Sequence, residues 1–186
     1  GGRVADVVAR IGVQRAREVL VALGPWSAKF LAPHGLRLPI QPGKGYSQTY
    51  SKPALVPNMP LVLREHSVCV TAWDDGFRLG STMEFSGYDE SLNATRLAAL
   101  ERGARDYLRE PVGPQLRERW YGWRPMTYDD LPVLGAVPGL PHLWLAAGHG
   151  MMGMGMSAAT GEMLADLVCA RTPALDPAAY AITRFG

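Results

Sequence analysis

Two things are scarce in these 186 residues: cysteine, which occurs twice, and any run of like charge, which does not occur. Cys69 and Cys169 fit no metal or redox spacing, so they read as free thiols in a reducing compartment. A net charge of +2 gives no electrostatic case for nucleic acid, and no run of Lys and Arg suggests a polybasic membrane patch. No apolar stretch reaches the roughly 20 residues of a membrane span. His34, His66, His142 and His149 show no ligand spacing, so no metal site is expected, and no G-x-S-x-G elbow is present. What remains is 47% hydrophobic and 19% charged, enough apolar surface for one domain with a real core. Gly1-Gly2-Arg3 runs straight into a strand-like alternation, which reads as a chain entered in the middle of a domain.

Along the chain, Val4 to Ile11 and Ala16 to Leu23 are apolar-rich with turn signals around Gly12, and predict a strand pair. The second of these is continuous and β-branched, as for a strand buried on both faces. Gly24 can take a positive φ and Pro25 stops the strand, with a short helix through Trp26 to Leu31. Lys44 to Tyr50 alternates like a strand with one wet face. Leu61 to Leu63, Ser67 to Trp73 and Phe77 to Met83 follow, the last two joined by the hairpin signal Asp74-Asp75-Gly76. Leu97, Leu100, Ala104, Tyr107 and Leu108 set one face of a helix over Leu92 to Arg109, closed by Pro111. Leu116 to Trp123 and Leu143 to Ala147 return to strand. Met156 to Arg171 predicts a helix with Met163, Leu164, Leu167 and Val168 on one stripe, and with Ala158, Ala159, Gly161 and Ala165 admitting another backbone closely. The expected class is α+β: a mixed, largely antiparallel sheet with a packed helix, inserted between two end pieces of one α/β layer. The boundaries fall at 1–35, 36–124 and 125–186.

Gly148-His149-Gly150-Met151-Met152-Gly153 matches G-x-G-x-x-G after a strand and before a helix. A dinucleotide fingerprint also needs a following parallel strand and an acidic ribose reader, and the tail broken by Pro173 and Pro177 supplies neither. A glycine turn at a helix N-terminus can instead hold an anion, such as a reduced flavin, against backbone amides. It can equally be clearance for a helix packed on a sheet, and the loop alone does not choose. Met151, Met152, Met154 and Met156 beside it suit an aromatic surface or a core. Arg124 follows Trp120-Tyr121-Gly122-Trp123 and precedes Pro125. It suits bidentate capture of a carboxylate, or simple stacking on a tryptophan. Tyr46, Tyr50 and Trp73 can line a pocket or fill a core.

Five stretches in order resemble the glycine oxidase and D-amino-acid dehydrogenase branch of the DAO-type flavin oxidoreductases. They are Glu18-Val-Leu-Val-Ala-Leu-Gly-Pro-Trp-Ser27, Leu38-Pro-Ile-Gln-Pro-Gly-Lys-Gly-Tyr46 and Gly80-Ser-Thr-Met-Glu-Phe-Ser-Gly87. The more specific two are Trp123-Arg-Pro-Met-Thr-Tyr-Asp-Asp-Leu-Pro-Val-Leu-Gly135 and Ala147-Gly-His-Gly-Met-Met-Gly153 with Ser157-Ala-Ala-Thr-Gly161. The resemblance implies FAD as cofactor and an amino acid as substrate, oxidised by hydride transfer and deaminated. It puts the carboxylate-binding arginine at Arg124, with Tyr46 and Met151 as further substrate contacts. The flavin loop falls on His149, Gly150, Met151, Met152, Gly153, Met154 and Gly155. Met151 stands where glycine oxidase carries a substrate-contacting arginine, which favours the dehydrogenase side. No catalytic acid or base is named, because the amine lone pair assists as hydride leaves. The family's pyrophosphate-binding G-x-G-x-x-G is expected upstream of Gly1, as is a partner region without which this chain is inactive. A cytoplasmic protein is expected, or one peripheral to the inner membrane at full length, and a homo-oligomer is compatible. The alternatives are a flavin oxidase of secondary or cyclic amines, and a silent binding module of the same fold.

Overall fold

The computed structural model of the protein describes residues 6–9 and 12–186. It divides into two compact units: the chain up to Gln41 together with Arg124–Gly186, and Pro42–Trp123.

In the first unit, β1 (Asp6–Ala9) and β2 (Gly12–Arg15) form an antiparallel hairpin in which Ala9 pairs with Gly12. The expected pairing of Val4–Ile11 with Ala16–Leu23 is therefore corrected. The returning strand starts at Gly12 (φ 108) and is over by Arg15, while Val4 and Ile11 lie outside the described residues. β3 (Val19–Val21) is a separate three-residue strand, hydrogen-bonded in parallel to a strand far along the chain. It is not buried on both faces: it lies at the sheet edge and Leu20 is 50% exposed. Gly24 takes φ 52, as its place at the strand end requires, and a 3-10 turn leads into α1 (Ser27–Leu31).

The chain re-enters the first unit after residue 123. Its sheet has the order β3-β10-β9, with β9 (Val133–Ala136) antiparallel and β3 parallel to β10 (Leu143–Ala147). The two expected neighbours, Glu18–Leu23 and Leu143–Ala147, do share a layer, whereas β9 had no place in the sequence reading. Leu31, Leu38, Ile40, Val133, Leu143 and Leu145 make the core beneath this sheet. α3 (Gly153–Val168) starts three residues before the predicted helix and ends three earlier. Met163 and Leu164 seat it against Leu134. Its other small residues face away: Ala158, Ala159 and Ala165 are exposed, and nothing stands within 4 Å of where a Gly161 Cβ would be. The close backbone neighbour expected there is not supplied by the described residues. The proline-broken tail is not loose chain, since Ile182 and Phe185 of one 3-10 turn pack on the core and Tyr180 of the preceding turn packs near Leu134.

The second unit is a sheet of order β5-β6-β7-β4-β8: β4 (Gln41–Ser51), β5 (Leu61–Leu63), β6 (Val68–Ala72), β7 (Gly76–Glu84) and β8 (Leu116–Met126). β5–β6, β6–β7 and β7–β4 are antiparallel. The Trp73 amide donates to the Gly76 carbonyl at 3.0 Å across the predicted Asp-Asp-Gly turn. α2 (Ala94–Arg105) lies on β6 and β7, with Leu97, Leu100 and Ala104 against Tyr46, Tyr50, Val68 and Phe77. It is shorter than Leu92–Arg109 because the Asn93 side chain accepts the amides of Thr95 and Arg96, the N-cap bond that fixes a helix start. Tyr107, placed on the inner face by periodicity, lies beyond the last turn and is exposed.

β4 corrects another expectation: it has no wet face. Tyr46, Gln48 and Tyr50 turn toward α2, where Gln48 Nε2 and the Tyr50 hydroxyl both donate to Glu101 Oε1 at 3.0 Å. On the opposite face, Thr49 accepts from Arg78 Nε at 2.9 Å and is roofed by Glu118. Polar residues there are buried by partners from neighbouring strands.

Candidate functional site

The glycine loop forms as its sequence requires. β10 ends at Ala147, Gly148 and Gly150 take φ 77 and 55, and α3 begins at Gly153. A Cβ on Gly148 would lie 2.8 Å from Thr127 Cγ2, so this glycine serves both turn and clearance. The Gly150 amide donates to the Pro125 carbonyl at 3.0 Å. That bond ties the middle of the loop to the residue after Arg124, within one unit.

The helix end is polarised. Met156 N–H donates to the Met152 carbonyl as the first bond of α3. The amides of Gly153, Met154 and Gly155 therefore point out beyond the N-terminus. No acidic side chain stands in that first turn and no side chain caps it. Met151, Met152 and Met154 are exposed around it, Met154 at 92%. His149 points the other way: its Nε2 is 3.0 Å from Thr160 Oγ1, and burial lowers its pKa, which favours the neutral ring. His149 thus anchors the loop to α3.

Arg124 is half-buried near the end of β8, two positions from Gly122 and four from Trp120. Alternation puts these three on one face of the strand. A Cβ on Gly122 would lie 2.2 Å from Trp120 Cη2, so the glycine leaves room for that indole. Tyr46 is in the other unit, 1% exposed, with its hydroxyl donating to Glu84 Oε2 at 3.2 Å. The predicted residues thus fall into two groups, with Arg124 and His149–Gly155 joined through Pro125.

The stretch after Arg124 is a clamped turn. The buried Thr127 hydroxyl donates to the Leu131 carbonyl at 2.9 Å, and Asp129 Oδ1 accepts the Leu131 amide at 3.2 Å. Arg184 closes it with Nε on Asp129 Oδ2 at 2.8 Å and a second nitrogen on Oδ1 at 3.2 Å. Sequence reasoning missed Arg184, which stands some fifty positions away in the tail and carries no local signal. Its hydrogen bonds hold the Asp129 carboxyl down to about 2. A depressed carboxyl contributes stability above its unfolded pKa of about 3.9 and loses it as pH falls through the folded value. Asp129→Asn is therefore expected to lower unfolding free energy by roughly 1–3 kcal/mol near neutral pH, with the deficit shrinking from about pH 4 downward. Urea titrations of both proteins along that pH series check it.

Among the described residues no helix is long and apolar enough to cross a membrane. The family model for DAO, FAD dependent oxidoreductase, matches residues 1–167. A D-amino acid dehydrogenase of Allorhizobium ampelinum is 37% identical over 188 residues, covering 100% of this chain and 44% of the relative. A glycine oxidase of Pseudomonas aeruginosa is 37% identical over 182 residues, 97% of this chain and 50% of the relative. The structure of glycine oxidase from Geobacillus kaustophilus aligns with a TM-score of 0.86 at 27% identity, over 96% of this chain and 48% of that one. Iminodiacetate oxidase from Chelativorans gives 0.78 at 28% identity, over 95% and 49%. The chain belongs to the DAO family of FAD-dependent oxidoreductases. It spans about half the length of these relatives.

Proposed function

We propose that the chain is the substrate-holding and flavin-facing part of an FAD-dependent D-amino-acid dehydrogenase, with Arg124 as the carboxylate ligand. The observation that carries this reading is the Gly150–Pro125 hydrogen bond, because it makes the strand end of Arg124 and the glycine loop one body. The loop suits a flavin on three counts. Its two left-handed glycines leave the backbone bare for a flat ring. Three outward amides at a helix N-terminus favour the negative charge of a reduced flavin. The exposed thioethers of Met151, Met152 and Met154 adapt to an aromatic face.

His149 to Gly155 would hold the ring, and the bound cofactor would supply the two-electron acceptor for oxidation of the α C–H. Arg124 would grip the carboxylate through a planar pair of hydrogen bonds, and so orient the α carbon. Met151 would border the same substrate. Tyr46 belongs to the other unit, with its hydroxyl already on Glu84. The amine lone pair would assist the departing hydride, and the imine would hydrolyse to a keto acid and ammonia.

The test uses the protein encoded by the whole reading frame, mixed anaerobically with D-amino acids, glycine, iminodiacetate and a cyclic secondary amino acid. Bleaching of the yellow cofactor by D-amino acids in preference to the others is the expected outcome. Bleaching by the secondary amines alone would move the protein to the amine oxidases. A protein purified without flavin would leave the silent module as its description. The 186-residue chain by itself is expected to stay colourless.

A further inference from the structure

Lys44 is the one buried charged side chain among the described residues, 0% exposed, and the chemistry proposed above leaves it without a role. Its Nζ donates to Asp89 Oδ2 at 2.7 Å and to the Ser91 carbonyl. The ammonium lies 5.3 Å from the centre of the Tyr46 ring and 5.0 Å from that of Tyr121. Asp89 and Ser91 belong to residues 85–93, a largely exposed connection between β7 and α2 without regular structure. Tyr88 of that connection packs edge-on against Trp123 at 5.7 Å, and Trp123 packs likewise on Tyr121 at 5.4 Å.

Both ends of the connection are fixed as well. Glu84 accepts from Asn93 Nδ2 at 2.9 Å and from the Tyr46 hydroxyl at 3.2 Å. Just before it, Ser81 and Thr82 take φ 107 and 54, and the register against β4 shifts between Lys44 and Tyr46. Two consecutive side-chain-bearing residues in that region are strained, and a bulge of this kind re-aims the residues beyond it. Here it sets Glu84 opposite Lys44. A core filler such as methionine would occupy the same volume without desolvating a charge, so burial alone does not call for lysine. What the ammonium adds is a grip on a carboxylate and a carbonyl of an otherwise solvated connection.

We infer that Lys44 is a positioning residue for substrate binding: it latches residues 85–93 so that Tyr88 bears on Trp123 and fixes the strand end carrying Arg124. The inference rests on Arg124 as the carboxylate ligand. The latch is not a pH device, since the hydrogen bond from Lys44 holds the Asp89 carboxyl down to about 2.

The test compares Lys44→Met, Asp89→Asn and Arg124→Ala in the flavin-loaded protein from the whole reading frame. Each latch variant is expected to raise KM about tenfold while kcat changes less than about threefold and flavin content is unchanged. Lys44→Met placed on Arg124→Ala should add nothing further, because both act through the same guanidinium. If Lys44→Met does not fold, Asp89→Asn, on the exposed side of the pair, decides by itself. Unchanged KM in the folded latch variants, alongside a raised KM in Arg124→Ala, overturns the latch and leaves the arginine in place. Unchanged KM in Arg124→Ala overturns both.

Discussion

Arg124→Ala is expected to raise KM for the amino acid by about 30- to 1,000-fold, the equivalent of roughly 2–4 kcal/mol for a lost charge-assisted bidentate contact in a partly dry site. The kcat should fall as well, since a loosely held substrate no longer presents its α C–H to the acceptor. Arg124→Lys should recover part of the loss and no more, because a point charge lacks the planar fork. Flavin content should stay at the parental level in both variants, for residues His149 to Gly155 are untouched. An arginine that merely stacks on Trp120 predicts otherwise: modestly lower stability and an unaltered KM. Steady-state kinetics on folded, yellow protein separates the two.

Gly148→Val is expected to cost more than any other single change in the loop. The position holds φ 77, which a β-branched residue scarcely adopts, and its new Cβ would lie 2.8 Å from Thr127 Cγ2. Thr127 cannot swing aside cheaply, because its hydroxyl is bonded to the Leu131 carbonyl inside the clamped turn. A loss of roughly 2–4 kcal/mol in unfolding free energy and release of the flavin are expected. Gly161→Ala is the control. It lies inside α3 with open space around it, so alanine should gain about 0.5–1 kcal/mol in the isolated chain. Urea unfolding and the ratio of flavin to protein report both. A Gly148→Val protein as stable and as yellow as its parent would remove the glycine from the loop's design.

The sequence displayed most of what depends on neighbours along the chain. The Asp74-Asp75-Gly76 hairpin, the positive φ at Gly24 and the apolar stripe of α2 are all local signals, and each is present in the structure. The family resemblance, carried by residues 123–135 and 147–153, was equally legible and is borne out. The Asn93 cap is a local signal too, a side-chain acceptor at the start of the helical pattern, and it moves the helix start from Leu92 to Ala94. What stayed hidden depends on distant residues. The dry face of β4 exists because Arg78 and Glu118 arrive from other strands, which no alternation of polar and apolar residues around Thr49 reveals. Arg184 closes the turn at Asp129 from the tail. The composition of β3 suits a strand buried on both faces, yet which faces are covered depends on what packs on the sheet, and Leu20 is half exposed.

The pairing of β3 with β10 has a consequence for the order in which this polypeptide can acquire its structure. Val19 and Leu143 are about 120 residues apart, so during synthesis the pairing of β3 with β10 waits until the residues between them have emerged. Pro42–Trp123, by contrast, is continuous and can close on its own. Its first and last strands, β4 and β8, are neighbours, joined at the far end by the Ser51 amide on the Gln115 carbonyl at 2.8 Å. Once those strands are zipped, the span separating β3 from β10 shrinks to two tethers, residues 22–40 and 127–142, which lowers its closure cost by about 1 kcal/mol. A core defect at Leu100 that delays closure of the inserted sheet would therefore also slow the pairing that buries Val21.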